Sequence, residues 1–241
     1  MAPRFSLIIP AYNEERLLPR LLESVDFARA QYGNREAVEV IVADNMSTDR
    51  TAQIAAEHGC RIATVEKRVI AASRNGGARA ALGEVVCFID ADSQLHAQTF
   101  IEIDKALATG RCIGGATGIR MERWSLGIAL TYALIVPFVW LMRMDTGVVF
   151  CRKPDFDAVG GYDESRPVAE DVAFLWALRK LGKTRGQRLM RVRSAKALGS
   201  TRKFDEFGDW HYFRLIKEGL PMLWHRDGTT FTDRYWYKPK R

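Results

Sequence analysis

Residues 85–93 read Val-Val-Cys-Phe-Ile-Asp-Ala-Asp-Ser, an apolar run that ends on two carboxylates separated by one alanine. A short apolar run bounded by polar residues predicts a buried strand over Val85–Ile89. That strand delivers Asp90-Ala91-Asp92 at its carboxyl end. The same grammar repeats upstream. Phe5–Pro10 reads as a buried strand opening into Ala11-Tyr12-Asn13-Glu14, and Val38–Ala43 as a second opening into Asp44-Asn45. Cys60–Val65 reads as another strand. Leu17, Leu18, Leu21, Leu22 and Val25 recur at helical spacing. Asn13 suits the N-cap of that helix, and Glu14 and Glu15 suit its positive end. Ser47-Thr48-Asp49 opens a helix through Ala56, and Ser73–Leu82 and Thr99–Ala108 read as two more. This alternation predicts an α/β fold, a mostly parallel Rossmann-like sheet flanked by helices. Ligands of open α/β sheets bind at the carboxyl ends of strands, so the polar segments after the strands are expected to share one site.

The second half is less regular. Cys112–Thr117, Thr146–Cys151 and Leu189–Val192 read as strands. Glu170–Lys180 reads as a helix ended by Gly182, and Phe204–Lys217 as a helix in a C-terminal extension.

Asp90 and Asp92 offer hard carboxylate oxygens of the kind Mg²⁺ and Mn²⁺ prefer. A divalent cation there would bridge the phosphates of a nucleoside diphosphate and stabilise the charge of a leaving group. Asp at a strand end is also a common turn former. Asp44 can accept an N–H from a nucleobase or cap the turn beside Asn45. Arg74 can face phosphate or stack on a base, or stand as a surface charge. Tyr12 serves equally as a core aromatic. Glu170 and Asp171 either take a proton from an attacking hydroxyl or occupy a first helical turn, where acids are favoured by the helix dipole. His211 and His225 are candidate metal ligands or ordinary capping histidines.

Five blocks taken together carry a resemblance: PAYNEE (10–15), ADNMSTDRT (43–51), FIDADS (88–93), TGVVFCRKPDFDAVGGYDES (146–165) and EDVAFLWALRKLG (170–182). In order and spacing they resemble the family 2 glycosyltransferases of the GT-A fold, over roughly residues 5–182. The resemblance implies an inverting transfer of one sugar from a nucleotide-diphosphate sugar, with UDP the first expectation, to a hydroxyl acceptor that is a sugar or a lipid-linked sugar. It implies that Ala11, Tyr12, Glu14, Asp44, Arg74, Asp90 and Ala91 line the nucleotide site. Asp92, with Asp90, would hold Mn²⁺ or Mg²⁺, and Asp171, with Glu170 beside it, would be the general base. One domain over 1–241 is expected, with about 1–110 as the nucleotide half and about 111–241 as the acceptor half and helical extension. The QxxRW motif of the processive members is absent from the sequence, which favours single-sugar transfer. A sugar nucleotidyltransferase would want a Gly- and Lys-rich loop where PAYNEE stands. A non-catalytic nucleotide-sugar-binding protein would not need both Asp92 and Asp171.

The chain has 47% hydrophobic and 27% charged residues, an ordinary globular balance. Its 36 Lys+Arg against 29 Asp+Glu leave a formal charge of +7, suited to anionic partners. The basic residues are scattered, and no nucleic-acid partner is expected. Cys60, Cys87, Cys112 and Cys151 form no CxxC pair, so a reducing, cytoplasmic setting is expected. The N-terminus lacks the pattern of a signal peptide. Trp124–Met142 carries no charge over 19 residues, the lower range of a membrane span. A span there would put Asp92 and Asp171 on opposite sides of a bilayer, so none is expected. With the basic, aromatic tail Tyr235–Lys238, the run suits peripheral contact with an anionic membrane at its inner face.

Overall fold

The computed structural model describes residues 2–142, 147–166, 169–211 and 213, and within these the side chains of 135–142 are not described. The elements run β1 (Phe5–Ala11), α1 (Leu18–Tyr32), β2 (Val38–Asp44), α2 (Thr51–Glu57), β3 (Arg61–Thr64), α3 (Ile70–Ala80), β4 (Val85–Phe88), α4 (Thr99–Ala108), β5 (Cys112–Met121), α5 (Leu126–Met142), β6 (Val149–Arg152), α6 (Lys153–Ala158), α7 (Glu170–Thr184), β7 (Arg188–Gly199) and α8 (Arg202–Phe207). One seven-stranded sheet has the order β3-β2-β1-β4-β6-β5-β7. All neighbours pair in parallel except β6, which is antiparallel to both β4 and β5.

The apolar strands are continuous because both faces of the sheet are covered. Alternate residues go to opposite sides. Phe5, Leu7 and Ile9 of β1 join Leu18, Leu21 and Val25 of α1 and Phe100 and Ile103 of α4. Ile8, with Ile41, Val86 and Phe88, joins Ala71 and Ala78 of α3 and Phe174, Leu175 and Leu178 of α7. The small residues of α3 have a use here. A Cβ on Gly77 would overlap the Ile8 side chain, so glycine lets the helix lie close to β1.

Several boundaries differ from the sequence reading. Asn13 does not cap α1. Its φ is 54°, and its side chain accepts the Thr48 N–H at 2.8 Å while its own N–H donates to Ser47 Oγ at 3.0 Å. It therefore ties the loops after β1 and β2 together, and α1 starts later, with no side-chain cap and Pro19 in its first turn. Helix α3 begins at Ile70 rather than Ser73. Helix α7 passes through Gly182, which is buried against Ile113, and stops at Thr184. Strand β7 is longer than expected, because two stretches of it, Arg188–Val192 and Ala197–Gly199, pair with β5 on either side of a register shift. Helix α8 breaks at Gly208, whose φ is 85°, so no single helix spans 204–213; residues 214–217, His225 and the basic tail lie outside the described residues. The four cysteines are free. No helix among the described residues is long and apolar enough to cross a membrane. The 17 residues of α5 extend about 25 Å.

Candidate active site

The carboxyl ends of β1, β2 and β4 lie side by side because these strands are parallel neighbours. Their polar extensions meet there, as the sequence reading expects. Two charged clusters form the site.

Arg74 is the hub of the first. It projects from α3, and its side chain is 6% exposed. Its Nη1 donates to Glu170 Oε1 at 2.7 Å and to Asp171 Oδ1 at 2.6 Å. Its Nη2 donates to Asp90 Oδ1 at 2.9 Å. The guanidinium lies over the buried Tyr162 ring, 5.1 Å from its centroid. One cation thus gathers the end of β4 and the start of α7, elements separated by about 80 residues of chain. Ala169, with φ 58°, turns the chain into α7 so that both acids of its first turn reach Arg74.

The two acids of α7 differ in state. Burial, the neighbouring Asp171 charge and their mutual hydrogen bond push Glu170 up to about 7 against the pull of Arg74. Burial would also raise Asp171, but Arg74 and the bond from Glu170 outweigh it and hold Asp171 below the ordinary aspartate range. At neutral pH the pair therefore offers one ionised carboxylate, on Asp171, steadied by a partly protonated neighbour.

Arg202 centres the second cluster. Its Nη1 donates to Glu14 Oε2 at 2.7 Å, and its Nη2 lies 3.3 Å from Asp92 Oδ2. Burial raises both Glu14 and Asp92, against the opposing charge of Arg202. Arg202 Nε is buried with no hydrogen-bond partner among the described residues. Arg202 sits in no motif, and the sequence reading missed it. Its placement comes from Gln94, two residues past Asp92, whose N–H and C=O both bond Leu198 at the end of β7. That pairing brings the start of α8 over the β4 carboxylates. Tyr162 was also missed, although it lies inside the quoted GGYDES block.

The remaining candidates flank these clusters. Buried Asp44 accepts the Ser47 N–H at 3.3 Å, a turn-capping contact. Tyr12 is half-buried, with the Arg68 guanidinium 5.0 Å from its ring centroid. Ala11 and Ala91 are buried beside the carboxylates they adjoin. His211 packs edge-on against Phe204, and its Nδ1 lies 2.8 Å from the Gly208 carbonyl oxygen.

Among the described residues no three His, Cys, Asp or Glu side chains are grouped as a ready metal cage. The charge balance nevertheless suits a divalent cation. Glu14, Asp90, Asp92 and Asp171, with Glu170 partly protonated beside them, outnumber the cations Arg74, Arg202 and Lys203. Mg²⁺ and Mn²⁺ take hard oxygens, use few protein ligands and complete their shell with substrate phosphates.

A sheet of this order, with acidic strand ends gathered at one edge, is an α/β fold of the GT-A type. Solved structures share the fold. A mannosyltransferase from Pyrobaculum calidifontis, in complex with GDP-Man and Mn²⁺, superposes with a TM-score of 0.66 at 21% identity, covering 99% of this chain and 66% of that one. Glucosyl-3-phosphoglycerate synthase from Mycobacterium tuberculosis, in complex with Mn²⁺, UDP and glucosyl-3-phosphoglycerate, gives 0.62 at 18% identity, covering 86% and 75%. The chain belongs to glycosyl transferase family 2, whose model matches residues 6–158. The 4,4'-diaponeurosporenoate glycosyltransferase of Staphylococcus haemolyticus is 37% identical over 109 residues, 40% of this chain and 26% of that protein. The chain thus matches about a quarter of that relative's length.

Proposed function

We propose that the chain transfers one sugar, with inversion, from a nucleotide-diphosphate sugar to an acceptor hydroxyl, with Asp171 as general base and Asp92 and Asp90 as the protein ligands of Mn²⁺ or Mg²⁺. UDP is the preferred nucleotide and a lipid-linked hydroxyl the preferred acceptor. The carrying observation is the Arg74 hub, which joins Asp90 to Glu170 and Asp171 in one contiguous site. Donor binding and proton removal would then occur within a few ångströms of each other.

The bound cation would stabilise the charge that develops on the departing diphosphate. Asp92 and Asp90 would hold it, with Glu14 behind them. Arg202, released from Asp92, would carry positive charge to the same phosphates. Asp44 and Tyr12, on the loops after β2 and β1, would border the base and ribose. Asp171 is the acid kept ionised at neutral pH, and its side chain is a quarter exposed, so an acceptor hydroxyl can reach it. It takes the hydroxyl proton as that oxygen attacks the anomeric carbon from the face opposite the diphosphate, and inversion follows. The bound nucleotides of the two structural neighbours support this donor class.

The test is Asp171→Asn, assayed for transfer and for UDP binding with Mn²⁺. The amide keeps the size and cannot take the proton. Transfer should fall by about 10²–10⁴-fold, with UDP affinity little changed. Near-normal transfer would remove Asp171 from the base role.

A further inference from the structure

The two carboxylates that follow β4 are each met by an arginine, and the two arginines are held differently. Arg74 bonds Asp90 Oδ1 at 2.9 Å and is pinned by Glu170, Asp171 and the Tyr162 ring. Its side chain is 6% exposed. Arg202 is 28% exposed and grips its two carboxylates unequally. Its Nη1 donates to Glu14 Oε2 at 2.7 Å, the ordinary length of a charge-assisted hydrogen bond, whereas its Nη2 stands 3.3 Å from Asp92 Oδ2. Its Nε is buried with no hydrogen-bond partner among the described residues, which is costly for a charged donor. In a guanidinium, Nε and Nη2 share one edge, a planar fork that matches a phosphate. Arg202 therefore has one firm bond, to Glu14, and one poorly served edge.

The backbone beneath Arg202 is fixed. Arg123 pairs with Asp205 of α8 at 2.5 Å and with Asp209 beyond it at 2.7 Å. Thr201 and Phe204, on either side of Arg202, are buried. Movement at this point thus belongs to the Arg202 side chain, turning on Glu14. Lys203 beside it adds to the positive charge acting on Asp92.

We propose, on the donor reading given above, that Arg202 and a divalent cation are rivals for Asp92, and that a nucleoside diphosphate ends the rivalry by taking the Nε–Nη2 edge of Arg202. A cation approaching Asp92 meets the Arg202 charge a few ångströms away, and like charges at that range oppose each other. A phosphate on the free edge draws Nη2 from Asp92, satisfies Nε and sets negative charge between the two cations. Cation and nucleotide then each raise the affinity for the other by the same factor. Glu14 is a positioning residue in this scheme: it keeps the guanidinium at the site while Asp92 changes partner.

The test titrates the full chain by calorimetry with Mn²⁺ alone, UDP alone and UDP at saturating Mn²⁺. It compares the wild type, Arg202→Gln, Arg202→Lys, Glu14→Gln and the double variant Glu14→Gln, Arg202→Gln, with melting temperatures read alongside. Arg202→Gln should bind Mn²⁺ alone at least about fivefold more tightly than wild type, a gain that damage to the fold does not produce. Its UDP affinity should gain at least about fivefold less from Mn²⁺ than that of the wild type. Arg202→Lys keeps the charge without the fork. Its affinity for Mn²⁺ alone should stay near wild type while the mutual gain still shrinks, and it decides the matter if Arg202→Gln does not fold. Glu14→Gln should lower UDP affinity at saturating Mn²⁺, and adding Arg202→Gln should lower it no further, because both act through one guanidinium. Equal or weaker Mn²⁺ binding by Arg202→Gln, an undiminished mutual gain, or additive losses in the double variant overturns the proposal. Wild type that binds Mn²⁺ but no UDP sinks the donor reading instead, and the Mn²⁺ comparison then still tells whether Arg202 and the cation compete for Asp92.

Discussion

Replacing Arg74 by methionine removes the cation that lies over Tyr162 and keeps an unbranched apolar stem. The guanidinium is almost fully buried and serves three carboxylates. Asp90 is half-exposed and can be rehydrated. Glu170 is nearly buried and Asp171 only a quarter exposed, so they are rehydrated less and set the cost. Removing one partner of a buried pair costs about 3–5 kcal/mol, because an uncompensated charge is left behind. The deficit should depend on pH. In the wild type, Asp171 lies below its ordinary range, so its contribution is present above the unfolded value of about 4 and disappears as pH falls through the folded value. Glu170 works the other way. Its folded value of about 7 exceeds the unfolded 4.5, so its ionisation opposes folding increasingly across that window. Without Arg74 both carboxyls lose the charge that pulls them down, Asp171 shifts up and Glu170 rises further, so each takes up a proton more readily as pH falls. The variant should therefore be destabilised most near pH 8 and distinctly less near pH 5, measured by urea unfolding of both proteins at each pH. Arg74→Lys should fall between, since one ammonium lacks the planar fork that reaches Glu170, Asp171 and Asp90 together. A deficit under about 1 kcal/mol, or one equal at the two pH values, would refute the hub as the element holding the site together.

Asp92→Ala should abolish most of the Mn²⁺-dependent part of UDP affinity by calorimetry while leaving the melting temperature near wild type, because among the described residues the ion pair of Asp92 is a single 3.3 Å contact with Arg202; equal affinity with Mn²⁺ present would remove it as a ligand. Gly115→Ala should be costly, because a Cβ there would overlap the Met190 carbonyl in the β5–β7 pairing; a loss of about 1–3 kcal/mol or more is expected in denaturant, and an unchanged unfolding midpoint would show that β7 can shift freely.

Much of the site is legible in the amino-acid sequence. Strands β1, β2 and β4 announce themselves as short apolar runs, and parallel strands must present their carboxyl ends at one edge. Their polar extensions therefore have to converge, whichever order the strands take. The faces of α1 and α4 follow equally from periodicity, since burial repeats along each segment. What periodicity cannot report is which distant group a side chain will choose. Asn13 has the chemistry of a cap, yet it bonds Thr48, because the loop after β2 lies within reach and competes with the local helix end. The partners of Arg74 depend on the crossing of α7 over β4, which no local pattern encodes. Arg202 carries no motif, and only the Gln94–Leu198 pairing at the end of β7 brings it to Glu14 and Asp92. The antiparallel β6 between β4 and β5 belongs to the same class, because strand order is settled by long-range pairing rather than by the run itself. The uncharged run at 124–142 specifies an apolar helix, but an apolar helix can be buried on every side or on one. Only its packing, with Thr131 and Tyr132 turned to the protein and the leucines left outside, decides which face remains exposed, because exposure belongs to the assembled surface and not to the segment.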